Sequence, residues 1–224
     1  MHQRISKKII IYLFLFFLFA TINNKFLDNA SFPNINSIKI TGVNDKEYEK
    51  IQKDMSHLTY NNIFFLDELS IKQIIYSNES IEKLSIFKNY PSKLEIKIDK
   101  AEFLAITKKN GVSYFIGSNG KMIKTGSTDL NLPFVFGNIN NKEFLRFRSL
   151  INSSEFDYHN IKNLYFYLSN RWDIETRQGL IIKLPKDDLK QALNILTILL
   201  KKDEFQYKKI IDLRQKNQVV VNEK

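Results

Sequence analysis

The chain has 224 residues, 43% of them hydrophobic, so it is long enough to bury the core of one or two domains. It contains no cysteine, which excludes disulfide bonds, thiolate metal sites and a cysteine nucleophile. The formal net charge is +10, but the lysines are evenly scattered and form no basic stripe interleaved with aromatics, which disfavours nucleic-acid binding.

An apolar run without charge or proline, IIIYLFLFFLFATI, covers residues 9–22 and is expected to meet lipid. As a helix it would span about 21 Å. Extended back to Ile5 it would span about 27 Å, near the bilayer core thickness of about 30 Å, with Lys7 and Lys8 reaching the headgroups. A cleaved signal peptide is the alternative, but no small-x-small cleavage pair follows the run.

We therefore predict an uncleaved signal anchor. Arg4, Lys7 and Lys8 lie on its short N-terminal side and should stay in the cytoplasm under the positive-inside rule. The predicted segments are a cytoplasmic N-terminus at residues 1–8, a transmembrane anchor at 9–27 and a linker at 28–35. All later residues would then lie outside the cytoplasm.

The first folded segment has the predicted element order β-α-α-β-β. SIKITGV alternates apolar and polar side chains, as a half-buried strand does. Asn44 and Glu47 have the spacing of a capping box, so a helix should begin there, and a second short helix should begin near Asp67 or Ser70. Two alternating strands, KLSIFK and SKLEIKID, follow with a tight turn between them.

The pattern of the second half of the sequence predicts another α+β domain, built on an antiparallel sheet. Residues 101–138 contain short strands punctuated by KNG, SNG and LP, which indicates a meander. Residues 144–151 fit a helix, and NLYFYLS fits either a helix or a strand. WDIETRQGLIIKL indicates a hairpin, residues 187–202 a helix with one apolar stripe, and DLRQKNQVVV a single closing strand.

The sequence offers no catalytic residue, metal-ligand set or cofactor site. His159 follows Asp157, a pair that could orient a base, but neither a nucleophile elbow nor a metal-ligand spacing accompanies it. Asp187 and Asp188 are expected to stabilise the positive end of a helix. GSNG at 117–120 lacks the lysine and the helix of a phosphate loop, so a hairpin turn is expected.

Several stretches together resemble one family. They are IKITGV, NNIFFLD, FKNYPSKLEIKIDKAEFLAI, YFIGSNGKMI, LPFVFG, RWDIETRQGLIIKLPKD and KKIIDLR. Through them, residues 35–221 resemble the bacterial cell-division family FtsQ, called DivIB in other lineages. One departure is that Lys100, Ala101, Glu102 and Phe103 stand where the family usually has Glu-Arg-x-Pro.

The resemblance implies a POTRA domain at 36–103 and a C-terminal β domain at 104–224 with a partner-binding last strand. It implies a non-enzymatic, single-pass scaffold of the bacterial inner membrane, with its C-terminal domains in the periplasm at the division septum. Such a scaffold binds FtsB and FtsL and helps to assemble septal peptidoglycan synthesis. A POTRA-containing secretion or outer-membrane assembly factor is the alternative, although those proteins carry repeated POTRA modules. A cell-wall enzyme is a third reading, and the sequence lacks an acid/base pair for it.

The resemblance also implies where partners bind. Arg171 matches a basic residue that faces an acidic segment of the partner, the alternative being an ordinary surface arginine. In related proteins FtsB adds a strand beside the last strand. For this chain the implied contacts, besides Arg171, are Arg214, Gln215, Asn217, Val219, Val220 and Val221.

Alternation along the last strand would place Gln215, Asn217, Val219 and Val221 on one face. Related proteins carry aromatics where this chain has Gln215 and Asn222, so backbone pairing should matter relatively more here. The alternative is that residues 219–221 merely complete an internal sheet.

Overall fold

The computed structural model describes residues 7–22, 33–125, 130–205, 208–216 and 218–222. These residues form an N-terminal helix, a three-stranded sheet and a nine-stranded sheet. Each sheet contributes to a separate cluster of buried apolar side chains.

The N-terminal helix α1 comprises Lys7–Ile22. The side chains of residues 9–17 are apolar and each is at least 41% exposed. Among the described residues, no helix combines the length and the apolar character needed to cross a bilayer. The transmembrane anchor stays a prediction, and parts of the predicted segments 1–8, 9–27 and 28–35 lie outside the described residues.

The first folded segment has the predicted order β-α-α-β-β. Its elements are β1 (Ser37–Thr41), α2 (Asp45–Asp54), α3 (Glu68–Tyr76), β2 (Ile81–Asn89) and β3 (Lys93–Lys100). β3 lies between the other two strands, parallel to β1 and antiparallel to β2. Two 3₁₀ helices, Ser56–Tyr60 and Ile63–Phe65, connect α2 to α3.

Local capping explains where the two helices begin. The backbone N–H of Glu47 donates to the Asn44 side chain at 2.9 Å, and the backbone N–H of Asn44 donates to the Glu47 carboxylate at 3.2 Å. This reciprocal pair is the predicted capping box. Asp67 caps α3 by accepting from the backbone N–H of Leu69 at 2.9 Å. The helices then turn Ile51, Ile71 and Ile75 into the core.

The large sheet contains the other described strands. They are β4 (Phe103–Lys109), β5 (Val112–Gly117), β6 (Met122–Lys124), β7 (Phe134–Phe136), β8 (Ile161–Phe166), β9 (Trp172–Thr176), β10 (Ile181–Lys183), β11 (Ile210–Asp212) and β12 (Val220–Asn222). Their order among the described residues is β12-β11-β10-β9-β8-β7-β4-β5-β6. Two helices, α4 (Asn141–Asn152) and α5 (Leu189–Leu200), share its core.

The large sheet is mixed, so the prediction of an antiparallel sheet is wrong in this respect. β4 pairs in parallel with β7, β7 with β8, and β10 with β11. α4 connects β7 to β8 and α5 connects β10 to β11, and a helical crossover returns the next strand in the same direction. The predicted meander ends at β6, because β7 joins β4 on the side away from β5.

One aromatic stack joins the large sheet to its helices. Trp172, the first residue of β9, is completely buried. Its ring lies 4.3 Å from that of Phe147 on α4 and 4.8 Å from that of Phe166 on β8, measured between centroids. Burying such large side chains on one face leaves the opposite face of these strands to polar residues.

The C-terminal segment is a hairpin, whereas the sequence predicted one strand. β11 and β12 pair antiparallel, with Ile211 opposite Val221 and Asp212 opposite Val220. The chain reverses through a turn at residues 215–216. The prediction that side chains from Gln215 to Val221 share one face of a single strand is therefore wrong, because Gln215 lies in the turn and Val221 lies in β12.

Candidate partner-binding edge

β12 forms one edge of the large sheet and does not complete its interior. Within the described part of the chain, no strand pairs with its outer side. Val219, Val220 and Val221 are 38%, 54% and 36% exposed. An open edge of this kind presents backbone N–H and C=O groups to which another chain can add a strand.

The register indicates which of these backbone groups face outward. The carbonyl of Asn222 accepts from the backbone N–H of Lys209 at 3.2 Å, so the polar groups of Asn222 point towards β11. In an antiparallel pair this direction alternates from residue to residue. The backbone groups of Val221 therefore face away from the sheet. Val219 directly precedes β12, and the same alternation continued by one residue would turn its backbone groups outward as well.

A groove of about 630 Å³ borders the edge. Arg214, Gln215 and Val219, from the loop between β11 and β12, line one wall. The other wall consists of the first turns of α5 and the loop before it, including Asp187, Gln191 and Ile195. This second wall is not predictable from the sequence, because nothing in the pattern of a helix shows which distant strand its outer face borders.

Arg214 forms an ion pair at the start of the loop. Its Nε donates to the two carboxylate oxygens of Asp212 at 2.8 Å and 2.9 Å. Its backbone N–H also donates to Asp212, at 3.0 Å. The arginine lowers the pKa of the Asp212 carboxyl, and the carboxylate raises the pKa of Arg214. Asp212 lies opposite Val220, so the ion pair lies beside the open edge.

Arg171 directly precedes β9 and already has partners within the chain. Its Nε donates to Asp173 at 3.3 Å, and its guanidinium lies 4.7 Å from the centroid of the Tyr167 ring. The Arg171 side chain is 25% exposed, whereas Asp173 as a residue is only 4% exposed. Arg171 is therefore held in place by the sheet, and only part of it can meet a partner.

The two arginines belong to one polar row across the sheet. Asp173, Lys183, Asp212 and Val220 are paired in succession across β9, β10, β11 and β12. Residues paired in this way point to the same face of the sheet. The row links the Arg171–Asp173 pair to the Asp212–Arg214 pair. Asp212 is the main cause of the raised pKa of Arg214, and the negative charge of Asp173 adds a smaller contribution.

The structure describes all but one of the predicted site residues. Arg214, Gln215 and Val219 line the groove, and Val220 and Val221 belong to β12. Arg171 joins them through the polar row described above. Asn217 lies outside the described residues.

The other polar motifs have local contacts. The Asp157 carboxylate accepts from the backbone N–H of His159 at 2.9 Å and so caps the 3₁₀ helix Tyr158–Asn160. GSNG forms the predicted turn, between β5 and β6, closed by a hydrogen bond from the N–H of Gly120 to the carbonyl of Gly117 at 2.9 Å.

Comparison with known families agrees with this architecture. The FtsQ-type POTRA domain matches residues 34–100, and the C-terminal domain of cell division protein FtsQ/DivIB matches residues 105–214. Together the two matches define the class of the chain, a POTRA-containing cell-division protein. The chain belongs to the FtsQ/DivIB family, which assigns it to bacterial cell division at the septum.

Individual relatives are distant. The cell division protein FtsQ of Bradyrhizobium diazoefficiens is 25% identical over 202 residues, covering 88% of this chain and 59% of that protein. The cell division protein DivIB of Clostridium botulinum is 26% identical over 220 residues, covering 91% of this chain and 84% of the relative. The solved extracytoplasmic domain of DivIB from Geobacillus stearothermophilus covers 48% of this chain and 98% of that domain, with 8% identity and a TM-score of 0.36.

Proposed function

We propose that this chain is a non-enzymatic scaffold of the division machinery that captures FtsB, together with FtsL, on the open edge of β12. Through this capture it helps to assemble and regulate septal peptidoglycan synthesis. The observation that carries the proposal is the open edge: residues 219–221 are exposed, and a groove lined in part by Arg214 borders them.

The proposed contact is strand addition. An incoming strand pairs with the outward N–H and C=O groups of Val219 and Val221, which supplies affinity that does not depend on the partner's side chains. Apolar side chains of that strand enter the groove beside Ile195 and Leu213. The partner's acidic segment, which the resemblance places opposite Arg171, then lies along the polar row, near Arg171 and Arg214.

Membrane anchorage is part of the same proposal. We propose that α1 holds the chain in the bacterial inner membrane with its N-terminus in the cytoplasm and its folded segments in the periplasm. The exposed apolar side chains of residues 9–17 support it, because in water they would leave a large apolar surface unburied.

The strand-addition proposal is tested with Val219→Pro and its matched control Val219→Ala. Proline removes the outward N–H, whereas alanine keeps it and shortens the side chain. The full chain in detergent is titrated with the extracytoplasmic part of FtsB. We expect proline to weaken binding about 100-fold or more, and alanine by only about threefold.

Truncation after Arg214 removes β12 while leaving the small sheet intact, and it should abolish capture. Circular dichroism and thermal unfolding check that both variants stay folded. Wild-type affinity in the truncated chain, or in a folded Val219→Pro variant, would show that β12 is not the docking strand.

A further inference from the structure

A cluster of exposed apolar side chains lies on the small sheet's domain, far from β12 in sequence. Tyr60, Phe65 and Leu69 are 81%, 82% and 69% exposed. Tyr90, 60% exposed, comes from the turn between β2 and β3 and packs on Phe64, with ring centroids 4.8 Å apart. We call these five residues the aromatic patch. The Phe64–Tyr90 contact joins the two loops, and exposed apolar side chains grouped in this way mark an interaction site more often than scattered single residues do.

The aromatic patch lies where the chain enters the small sheet from the side of α1. The backbone N–H of Ile35 donates to the carbonyl of Asn61 at 3.0 Å, and Asn34 forms a β-bridge with Asn62. The backbone N–H of Asn36 donates to the carbonyl of Ser92 at 2.9 Å. The entering segment therefore runs directly beside both loops that carry the patch.

The large sheet is attached at the opposite end of the small sheet. β3 begins at Lys93, beside the patch, and ends at Lys100, where the chain continues into the large sheet. A strand of this length separates its two ends by about 23 Å. At the far end, the backbone N–H of Ala101 donates to the carbonyl of Ser80 at 2.8 Å. The patch thus faces away from the large sheet.

The covalent connection limits how far this end can move from α1. Ten residues separate Ile22 from Pro33, so the connection can span at most about 40 Å. With α1 in a bilayer, the end of the small sheet that carries the patch is also the end tied to the membrane. Tyrosine rings are enriched where hydrocarbon meets water, because they have an apolar body and a polar hydroxyl.

We infer that the aromatic patch docks on the phospholipid surface of the membrane that holds α1. This inference rests on the membrane anchorage proposed above. Docking would orient β3 away from the bilayer. It would also hold the large sheet, with its open edge, at a fixed distance from the membrane surface. A partner anchored in the same membrane would then meet β12 at a defined height.

The test uses the absence of cysteine in the sequence. Phe65→Cys in the full chain is labelled with an environment-sensitive fluorophore and reconstituted into phosphatidylglycerol/phosphatidylethanolamine vesicles. Leu168→Cys is the matched control, since Leu168 is 97% exposed in the loop between β8 and β9. We expect lipid-borne quenchers to act about threefold more strongly on position 65 than on position 168, and iodide in the buffer to show the reverse order.

A second variant tests the patch itself. Tyr60→Ser combined with Leu69→Ser, in the Phe65→Cys background, should remove the lipid quenching. Both side chains are mostly exposed, so the thermal unfolding midpoint should change little. Unchanged lipid quenching in this variant would contradict a role for the patch.

The outcomes separate the inference from the anchorage on which it rests. If alkaline carbonate leaves the chain in the vesicles but position 65 stays open to iodide, docking is wrong and anchorage stands. If carbonate extracts the chain, both are wrong. If position 65 becomes protected only when FtsB or FtsL is added, and without lipid quenching, the patch binds protein and the inference is overturned.

Discussion

Asn119, in the turn between β5 and β6, donates from its side-chain amide to the backbone carbonyl of Ile81 at 3.1 Å. The same amide donates to the carbonyl of Glu79 at 2.9 Å, and its oxygen accepts from the backbone N–H of Lys121 at 3.0 Å. One side chain thus stabilises its own turn and also links the large sheet to the start of β2.

Replacing Asn119 with aspartate should weaken this link. Asp keeps the acceptor for Lys121 but loses the donor, and it brings negative charge towards two carbonyl oxygens. We expect the free energy of unfolding to fall by about 1–3 kcal/mol, measured by urea denaturation. Asn110→Asp makes the same change in the turn between β4 and β5 and should cost less than about 0.5 kcal/mol. Equal stability of the two variants would contradict the linking role.

Gly137 and Gly179 form a matched pair for backbone strain. Both have positive φ, 108° and 85°. A Cβ at Gly137 would collide with the carbonyl oxygen of Phe166, whereas a Cβ at Gly179 would meet nothing within 4 Å. We expect Gly137→Ala to cost about 3 kcal/mol or more and Gly179→Ala about 1 kcal/mol. Denaturant titration measures both, and a smaller loss at Gly137 would show that β8 can move aside.

Arg171→Gln tests the polar row. The substitution removes the charge that the partner's acidic segment is proposed to meet, so FtsB capture should weaken about tenfold. Stability should also fall, by about 1–2 kcal/mol, because buried Asp173 loses its charged donor. Arg146→Gln, at an exposed arginine on α4, should change neither quantity. If the Arg171→Gln variant is destabilised but binds FtsB with wild-type affinity, Arg171 has only a structural role.

Glu175 should make stability depend on pH. It accepts from the Asn163 amide at 2.9 Å and from the Tyr165 hydroxyl at 2.7 Å, and these bonds hold its pKa below the ordinary 4.5. A carboxyl with a lowered folded-state pKa stabilises the fold above its unfolded pKa, and this contribution is lost as pH falls through the folded pKa.

We therefore expect the free energy of unfolding to decrease below about pH 4.5, and Glu175→Gln to make that decrease shallower. Urea denaturation between about pH 3 and about pH 6 measures both curves. Asn163→Ala removes one donor and should have a smaller effect in the same direction. Parallel curves for wild type and Glu175→Gln would exclude this contribution.

The proposed anchor predicts an intact N-terminus. Protein purified from membranes should retain the residues of α1 and need detergent for extraction. N-terminal sequencing reads the start of the chain directly. A mature sequence that begins after residue 20 would show that the apolar run is a cleaved signal peptide.

Elements whose causes are local could be predicted from the sequence. The capping box joins Asn44 to Glu47, and the Asp67 cap reaches only to Leu69, so each depends on residues two or three positions apart. The order β-α-α-β-β follows from hydrophobic periods of two and of about 3.6 residues within single elements. The Gly179 turn has the positive φ that glycine adopts without strain.

The remaining features depend on pairing between strands that are distant in the chain, so local sequence patterns could not predict them. The segment between β11 and β12 contains neither glycine nor proline, so the alternating pattern appeared continuous although pairing splits it into a hairpin. Parallel pairing of β10 with β11 requires α5 to cross over the sheet. Arg171 and Arg214 lie along one polar row because β9, β10 and β11 are neighbours. Strand order in a sheet is set by packing of the whole core rather than by local pattern.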